Sequence, residues 1–369
     1  MKFLFVATVR SHIGQFHMPL IRALKAAGHT VHAAYRDNST DKKGLDLSAI
    51  DQVFEIPFER SPYKPGNLLA YKKLKSVLDK EDYDIIHCHT PMGAVITRLA
   101  AGKARKRGAK IFYTAHGFHF YRGASRLNWA LYYPVEKLLA HRTDTLITIN
   151  REDLELARSR KFAAKRIVRI DGVGVELDRF RPVTEEERLA ARAELGFEKH
   201  QTVLLYAADL SKRKNQPMLF RALARLKERY PDILLLLPGQ PILKDEYEQM
   251  CRELGISHMV RMLGYRRDID KLLAACDCVV SSSRQEGLPL NLIEAAARGR
   301  YIIATDVRGN ADVVTQSGSG KLVKLNDDEA MAAHIAALIE NPPASADREN
   351  IACYDSNSIV RQLFGLYGI

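Results

Sequence analysis

The sequence predicts an α/β protein of two Rossmann-like domains, each a parallel sheet wrapped by helices. Three observations carry this. Short apolar runs alternate with helix-period segments nearly throughout, as strands joined by crossover helices do. The 369 residues exceed what one core usually supports, so two domains of average size follow. Composition is that of a globular protein, 46% apolar and 27% charged, with no run near the roughly 18 apolar residues of a spanning helix.

Residues 3–6 read as the first strand, too short and too soon followed by Arg10 and His12 for a signal peptide. A loop over residues 8–17 leads to a helix through Leu24 that Gly28 ends, and residues 30–34 form strand two. The turn holds Gly14 but no Gly-x-Gly-x-x-Gly, which removes the main support for a dinucleotide site. Further strands are read at 53–57, 83–89, 110–115, 144–150 and 166–170, with a helix near 68–79. The strand at 83–89 ends in His87-Cys88-His89. Two histidines two apart on a strand share a face, but with no third ligand in view they read as hydrogen-bonded strand-end residues. Thr114-Ala115-His116-Gly117-Phe118-His119-Phe120-Tyr121 is a strand running out into a His that Gly117 frees. The aromatic and basic segment 118–142 fits either a membrane interface or a packed helix. Pro182 and the charged stretch to His200 read as an inter-domain connection.

The second half opens on a strand at 203–207, followed by Lys212-Arg213-Lys214 before a helix. Three cations there can neutralise a diphosphate, Arg gripping two oxygens and Lys acting as a point charge; the alternative is a solvated charge run. Strands follow at 233–238 and 260–266. The most informative stretch is Cys278-Val279-Val280, a buried strand, then a loop rich in Ser and Gly, then a helix from Pro289 that Gly299 stops. Free N–H groups at such a helix start bind anions. Glu286 in the loop and Glu294 in the helix bracket it, and both can face one crevice, or else cap N–H groups and face solvent. A strand at 301–305 and a last helix at 356–367 complete the chain.

Five scattered cysteines without zinc-like spacing suit a reducing cytoplasm. Charge is uneven: residues 1–182 hold 32 Lys and Arg against 18 Asp and Glu, or +14, and the rest hold 24 against 26, or −2. With no nucleic-acid motif beside it, this excess points to an anionic membrane surface and away from nucleic acid.

The string Ser-x-x-x-Glu-Gly-x-Pro-x-x-x-x-Glu-Ala-x-Ala-x-Gly from Ser282 to Gly299 resembles the Glu-x7-Glu signature of the retaining family-4 glycosyltransferases. Thr114–Tyr121 is similar to the exopolysaccharide and capsule branch, the EpsD-like and CapM-like enzymes. Gly172-Val173-Gly174-Val175-Glu176 through Phe180 resembles the family's crossover into the donor domain. The resemblance covers essentially the whole chain. It implies a GT-B fold: an acceptor-side domain (1–180) and a nucleotide-sugar donor domain (181–355) facing a central cleft, with helix 356–369 crossing back to the first. It implies further that Glu286 and His116 meet the donor sugar and that Glu294 binds the ribose. Lys214 and Arg213 would hold the diphosphate with the N–H groups of Gly287, Leu288 and Leu290, and Tyr265 and Arg266 would lie by the base. Gly14 and His17 would be acceptor-side. The family usually has Gly then Arg or Glu where this chain has Ala208-Asp209, so the second phosphate cation is not fixed by the pattern. Asp268-Ile269-Asp270 spells the metal signature of the other glycosyltransferase fold but opens a helix, and no metal or other cofactor is expected.

The implied activity is retaining transfer of a hexose or N-acetylhexosamine from UDP to a lipid-diphosphate-linked sugar or oligosaccharide. The setting would be exopolysaccharide, capsule or cell-surface glycan synthesis, by a cytoplasmic enzyme peripheral on the inner membrane face. Three rivals stand beside it: a UDP-sugar 2-epimerase on the same fold, a non-catalytic sugar-nucleotide or polysaccharide binder, and a nucleic-acid binder that would leave the two glutamates unexplained.

Overall fold

The computed structural model describes residues 1–39, 44–342 and 348–369. The chain divides into two compact units, Met1–Gly174 with Ser356–Ile369, and Val175–Asp355. The division at Gly174/Val175 lies six residues before the 180/181 boundary expected from sequence.

Unit 1 runs β1 (Lys2–Val9), α1 (Arg10–Phe16), α2 (Met18–Ala26), β2 (Thr30–Arg36), β3 (Gln52–Glu55), α3 (Gly66–Lys80), β4 (Ile85–His89), α4 (Pro91–Ala100), α5 (Gly102–Lys106), β5 (Lys110–Ala115), α6 (Arg126–Ala140), β6 (Thr145–Thr148), α7 (Arg151–Ser159) and β7 (Arg166–Arg169). Its seven strands are all parallel, in the order β3-β2-β1-β4-β5-β6-β7. The central β1 and β4 are buried on both faces, which is why Phe3–Ala7 and Ile85–Ile86 read as unbroken apolar runs. No loop separates β1 from α1, contrary to the expected 8–17 turn: Ser11 and Ile13 bury a helical face, and the chain breaks only at His17.

Unit 2 runs α8 (Glu185–Glu194), β8 (Thr202–Leu205), α9 (Gln216–Leu226), β9 (Ile233–Pro238), α10 (Lys244–Glu253), β10 (Val260–Gly264), α11 (Ile269–Ala275), β11 (Cys278–Ser281), α12 (Leu290–Ala297), β12 (Tyr301–Thr305), α13 (Asn310–Ser317), β13 (Gly320–Val323) and α14 (Asp328–Glu340). Its six parallel strands follow the order β10-β9-β8-β11-β12-β13. The stretch read as a connection is α8, started by a Thr184–Glu187 capping box. Its Arg192 is buried, donating to the carbonyls of Ala275, Glu198 and Gln201 and pairing with Asp277, so the segment belongs to this unit.

The last helix, α15 (Ser356–Tyr367), returns to unit 1. Its Tyr367 is buried against Phe3 and Phe112, and the phenol lies 2.6 Å from His87 Nδ1. Gly174 permits the crossing, since a Cβ there would lie 2.5 Å from Ser356 Cα.

Both sheets reverse strand order once, between β1 and β4 in unit 1 and between β8 and β11 in unit 2. In open α/β sheets ligands bind beyond the carboxyl ends of strands at such points.

Candidate active site

In unit 2 the loops leaving β8 and β11 are the two that the sequence singles out, and they are stitched together. Arg284 N–H donates to Arg213 O at 2.9 Å, and Ser282 Oγ and Tyr206 OH both donate to Lys214 O at 3.0 Å. Asn215, at φ +55°, turns the chain into α9 and accepts from Arg284 Nη2 at 2.8 Å. This frame brings the expected residues onto one carboxylate. Glu286 Oε1 accepts from Lys214 Nζ and Ser283 Oγ, each at 2.5 Å, and Oε2 lies 3.3 Å from Arg213 Nη1. Burial pushes the Glu286 carboxyl upward, but Lys214 and Arg213 outweigh it and hold it below its usual range, so it is ionised.

Beside this cluster the helix start is open. Helix α12 begins at Leu290, one residue later than expected, with Pro289 as its N-cap. Among the described residues, the N–H groups of Gly287, Leu288, Leu290 and Asn291 donate to no protein acceptor. Leu288 and Leu290 pack their side chains on the core, so any contact they offer an anion is through the backbone. The loop is held from behind by Arg308, whose Nε donates to Glu286 O at 3.0 Å, and by Gly309, where a Cβ would lie 2.5 Å from Gly287 O.

Glu294 sits one turn into α12, half-buried, its carboxylate without a hydrogen-bond partner among the described residues. Burial raises its carboxyl to about 7 against a lowering by Arg179, with Asp270 adding to the rise. Tyr265 is exposed after β10, and Arg266 forks onto Asp268 at 2.8 and 2.5 Å. Asp270 pairs with Arg179.

In unit 1, His116 follows β5, its backbone released by Gly117 at φ +123°. Burial lowers its imidazole to about 4, so the ring is neutral. Its Nε2 lies 3.3 Å from His89 Nδ1, and His17 stacks on His89 with centroids 3.8 Å apart. His87 bonds Tyr367 and, at 2.8 Å, Thr114. The strand-end histidines are thus hydrogen-bonded, as read, but His12, His17 and His116 gather with His89, which sequence spacing did not show. Gly14 lies within α1, where a Cβ would meet Leu45 at 3.0 Å; close packing accounts for it.

Segment 118–142 divides in a way periodicity alone leaves open. Phe118 and Phe120 are buried, Trp129 and Tyr133 pack on Phe120, and Tyr132 lies against His119. The exposed apolar positions of α6 are instead Leu127, Leu131, Val135 and Leu138. A cavity of about 620 Å³ beside this helix is lined by Val9, Met92, Leu131, Tyr132 and Val135, with His12 at its wall.

Two family models match. Residues 18–179 fit Glycosyltransferase Family 4, and residues 187–354 fit Glycosyl transferases group 1. The chain is 42% identical to the glycosyltransferase EpsD of Bacillus subtilis over 341 residues, covering 92% of this chain and 88% of that one. The chain belongs to glycosyltransferase family 4. An Escherichia coli relative, named as UDP-Gal:α-D-GlcNAc-diphosphoundecaprenol α-1,3-galactosyltransferase, is 28% identical over 71% of this chain and 69% of its own. A Campylobacter jejuni α-1,3-N-acetylgalactosaminyltransferase named for a diphospho-undecaprenol acceptor is 26% identical over 98% and 97%. Among solved structures, HepE of Anabaena in complex with UDP and glucose superposes with a TM-score of 0.81 at 22% identity, covering 100% of this chain and 99% of that one. The fold of this family-4 glycosyltransferase is GT-B. Ser283, Tyr206 and Arg308, which frame Glu286 in this glycosyltransferase, carried no signal in the sequence beyond position.

Proposed function

We propose that this glycosyltransferase moves a hexose or N-acetylhexosamine from UDP to a lipid-diphosphate-linked sugar or oligosaccharide, retaining the donor's anomeric configuration, in exopolysaccharide, capsule or cell-surface glycan synthesis. The observation that carries this is the cluster of Lys214, Arg213, Ser283 and Glu286 beside the open N–H groups of Gly287 to Asn291. Two cations and a helix start converge where a diphosphate would be held, and they stabilise negative charge that grows there as the sugar leaves.

Glu286 occupies those cations in the absence of donor. On binding, the diphosphate takes over Lys214 and Arg213, and the Glu286 carboxylate is released toward the sugar hydroxyls. Glu294, without a protein partner, accepts from the ribose hydroxyls, and Tyr265 and Arg266 lie by the base. The C1–O bond to the diphosphate breaks as the acceptor oxygen approaches C1 from the same face, and the acceptor proton passes to the leaving phosphate oxygen. His116, neutral, donates or accepts one hydrogen bond at the sugar. His17 is assigned to the acceptor side.

The relatives named for undecaprenyl-diphosphate acceptors support a lipid-linked acceptor. The exposed apolar residues of α6, with Arg122, Arg126, Lys137 and Arg142 near them in sequence, support a peripheral place on the inner membrane face. No helix among the described residues is long and apolar enough to cross a membrane.

The test is incubation of the purified protein with labelled UDP-hexoses and UDP-N-acetylhexosamines and a lipid-diphosphate sugar. Label in the lipid product with the donor's anomeric configuration supports the reading. An inverted linkage removes retention, and conversion of the donor to its 2-epimer without an acceptor establishes the epimerase instead.

A further inference from the structure

Among the described residues one set of metal-ligating side chains meets, and it lies in unit 1: His12, His17, His89 and His116. They reach one place from three strands around the switch point, His12 and His17 after β1, His89 at the end of β4 and His116 after β5. One ring nitrogen from each lies within 4.8 Å of all the others. We propose that these four imidazoles form a binding site for a divalent transition ion, Zn2+ by geometry and donor type.

The distances set the first condition. Two nitrogens bound to one tetrahedral zinc at about 2.0–2.1 Å stand roughly 3.4 Å apart. His89 Nδ1 and His116 Nε2 are already 3.3 Å apart. No pair has to close by more than about 1.4 Å.

The second condition is the state of the donors. A metal takes the neutral imidazole. His17 and His89 are buried and His12 and His116 partly so, away from competing water. The Nε2 atom of His17 is buried with no hydrogen-bond partner among the described residues, and such an orphaned atom calls for an occupant.

The third condition is selectivity. Four imidazoles without carboxylate or thiolate suit Zn2+, Co2+, Ni2+ or Cu2+ and not Mg2+ or Ca2+. Cys88, the nearest thiol in sequence, is turned away and bonded to Phe112 O. Ligation through His116 Nε2 leaves its Nδ1–H to donate to a sugar hydroxyl, so the site is compatible with the role given to His116 above. The diphosphate chemistry assigned to unit 2 does not use this ion.

The experiment is titration of the tag-free, chelator-stripped full chain with Co2+. The expected result is one ion per chain with the intense visible bands of tetrahedral cobalt, bleached by stoichiometric Zn2+. Single changes His12→Gln, His17→Gln, His89→Gln and His116→Gln should each lower Co2+ affinity by more than about 100-fold, beyond the loss typical of an outer-shell partner. The exposed His258→Gln should keep full binding. If the buried His17 and His89 variants fail to fold, the half-exposed His12 and His116 variants decide. Absence of stoichiometric Co2+ binding, or its full retention in both His12→Gln and His116→Gln, overturns the site.

Discussion

Glu294→Gln should make the protein more stable and bind UDP less well, and the first effect should depend on pH. The folded-state carboxyl lies at about 7 against an ordinary 4.5. Between those values the folded chain keeps a proton that the unfolded chain has shed, so stability falls as pH rises from about 4.5 to 7 and the full loss stands above 7. A rise of about 2.5 pKa units corresponds to about 3.4 kcal/mol. Because Glu294 is only half-buried, solvent screening reduces this to about 2 kcal/mol. Gln removes the ionisable proton while keeping the shape. At pH 8 the variant should therefore melt higher by roughly 4–8 °C, given 2–4 °C per kcal/mol for a unit of this size, and near pH 5 by far less. In the same sample the loss of a charged acceptor for the ribose hydroxyls, about 1.5–3 kcal/mol, should weaken UDP by roughly 10- to 150-fold. Thermal melts of both proteins from pH 5 to 8, with and without UDP, measure both quantities. A variant no more stable than wild type at pH 8, or a stability gap constant across that range, would refute the argument. It would show that the carboxylate is satisfied in the folded protein and not reserved for a ligand.

Neighbouring residues in the proposed diphosphate cradle should act with opposite sign on nucleotide binding. Lys214→Ala removes a buried cation and should weaken UDP by roughly 10- to 100-fold, whereas Glu286→Gln removes a negative charge worth about 2–3 kcal/mol of repulsion at roughly 6 Å and should leave UDP bound as well or better, with turnover down at least about 100-fold. Calorimetry with UDP beside a transfer assay separates the two, and equal losses of UDP affinity in both variants would contradict the competition. Tyr367→Phe leaves His87 Nδ1 buried without its partner and should lower stability by about 1–3 kcal/mol in urea unfolding; a change under about 0.5 kcal/mol would mean the α15 contact is held by apolar packing alone. Leu131→Asp with Leu138→Asp should reduce sedimentation with anionic vesicles while leaving UDP binding intact, and wild-type binding should weaken with salt. Unchanged sedimentation would remove α6 from the membrane contact.

What the sequence made legible were local patterns with a mechanism attached. The apolar runs of β1, β4, β9 and β11 and the Ser, Gly and Pro break before α12 state their structure within a few residues, whereas the ion pair of Glu286 with Lys214 follows only from the strand order that sets β8 beside β11. The misreadings share one cause, which is contact across sequence distance. Residues 183–200 look like a charged linker until Arg192 is seen to be satisfied by carbonyls and by Asp277, 85 positions on. Trp129 and Tyr133 carry the composition of a membrane interface, yet Phe120 and Phe162 draw them inward and leave the leucines outside. His12, His17 and His116 cannot be joined to His89 by any spacing rule, because strand order, not sequence order, sets β1 beside β4 and β4 beside β5.

The distribution of charge separates two tasks that composition alone would merge. A net charge of +14 in residues 1–182 invites a phosphate-binding reading, but the cations that converge on Glu286 belong to the half whose balance is −2. The proposed diphosphate cradle would work through position: a 12% exposed lysine and backbone N–H groups at a helix start are strong where water is excluded and need no long-range field. The unit 1 excess is carried by exposed side chains such as Lys103, Arg126 and Lys137, which act through a field that salt screens. A mutation set that neutralised those surface residues should therefore slow arrival at an anionic surface and leave the donor's affinity where it was.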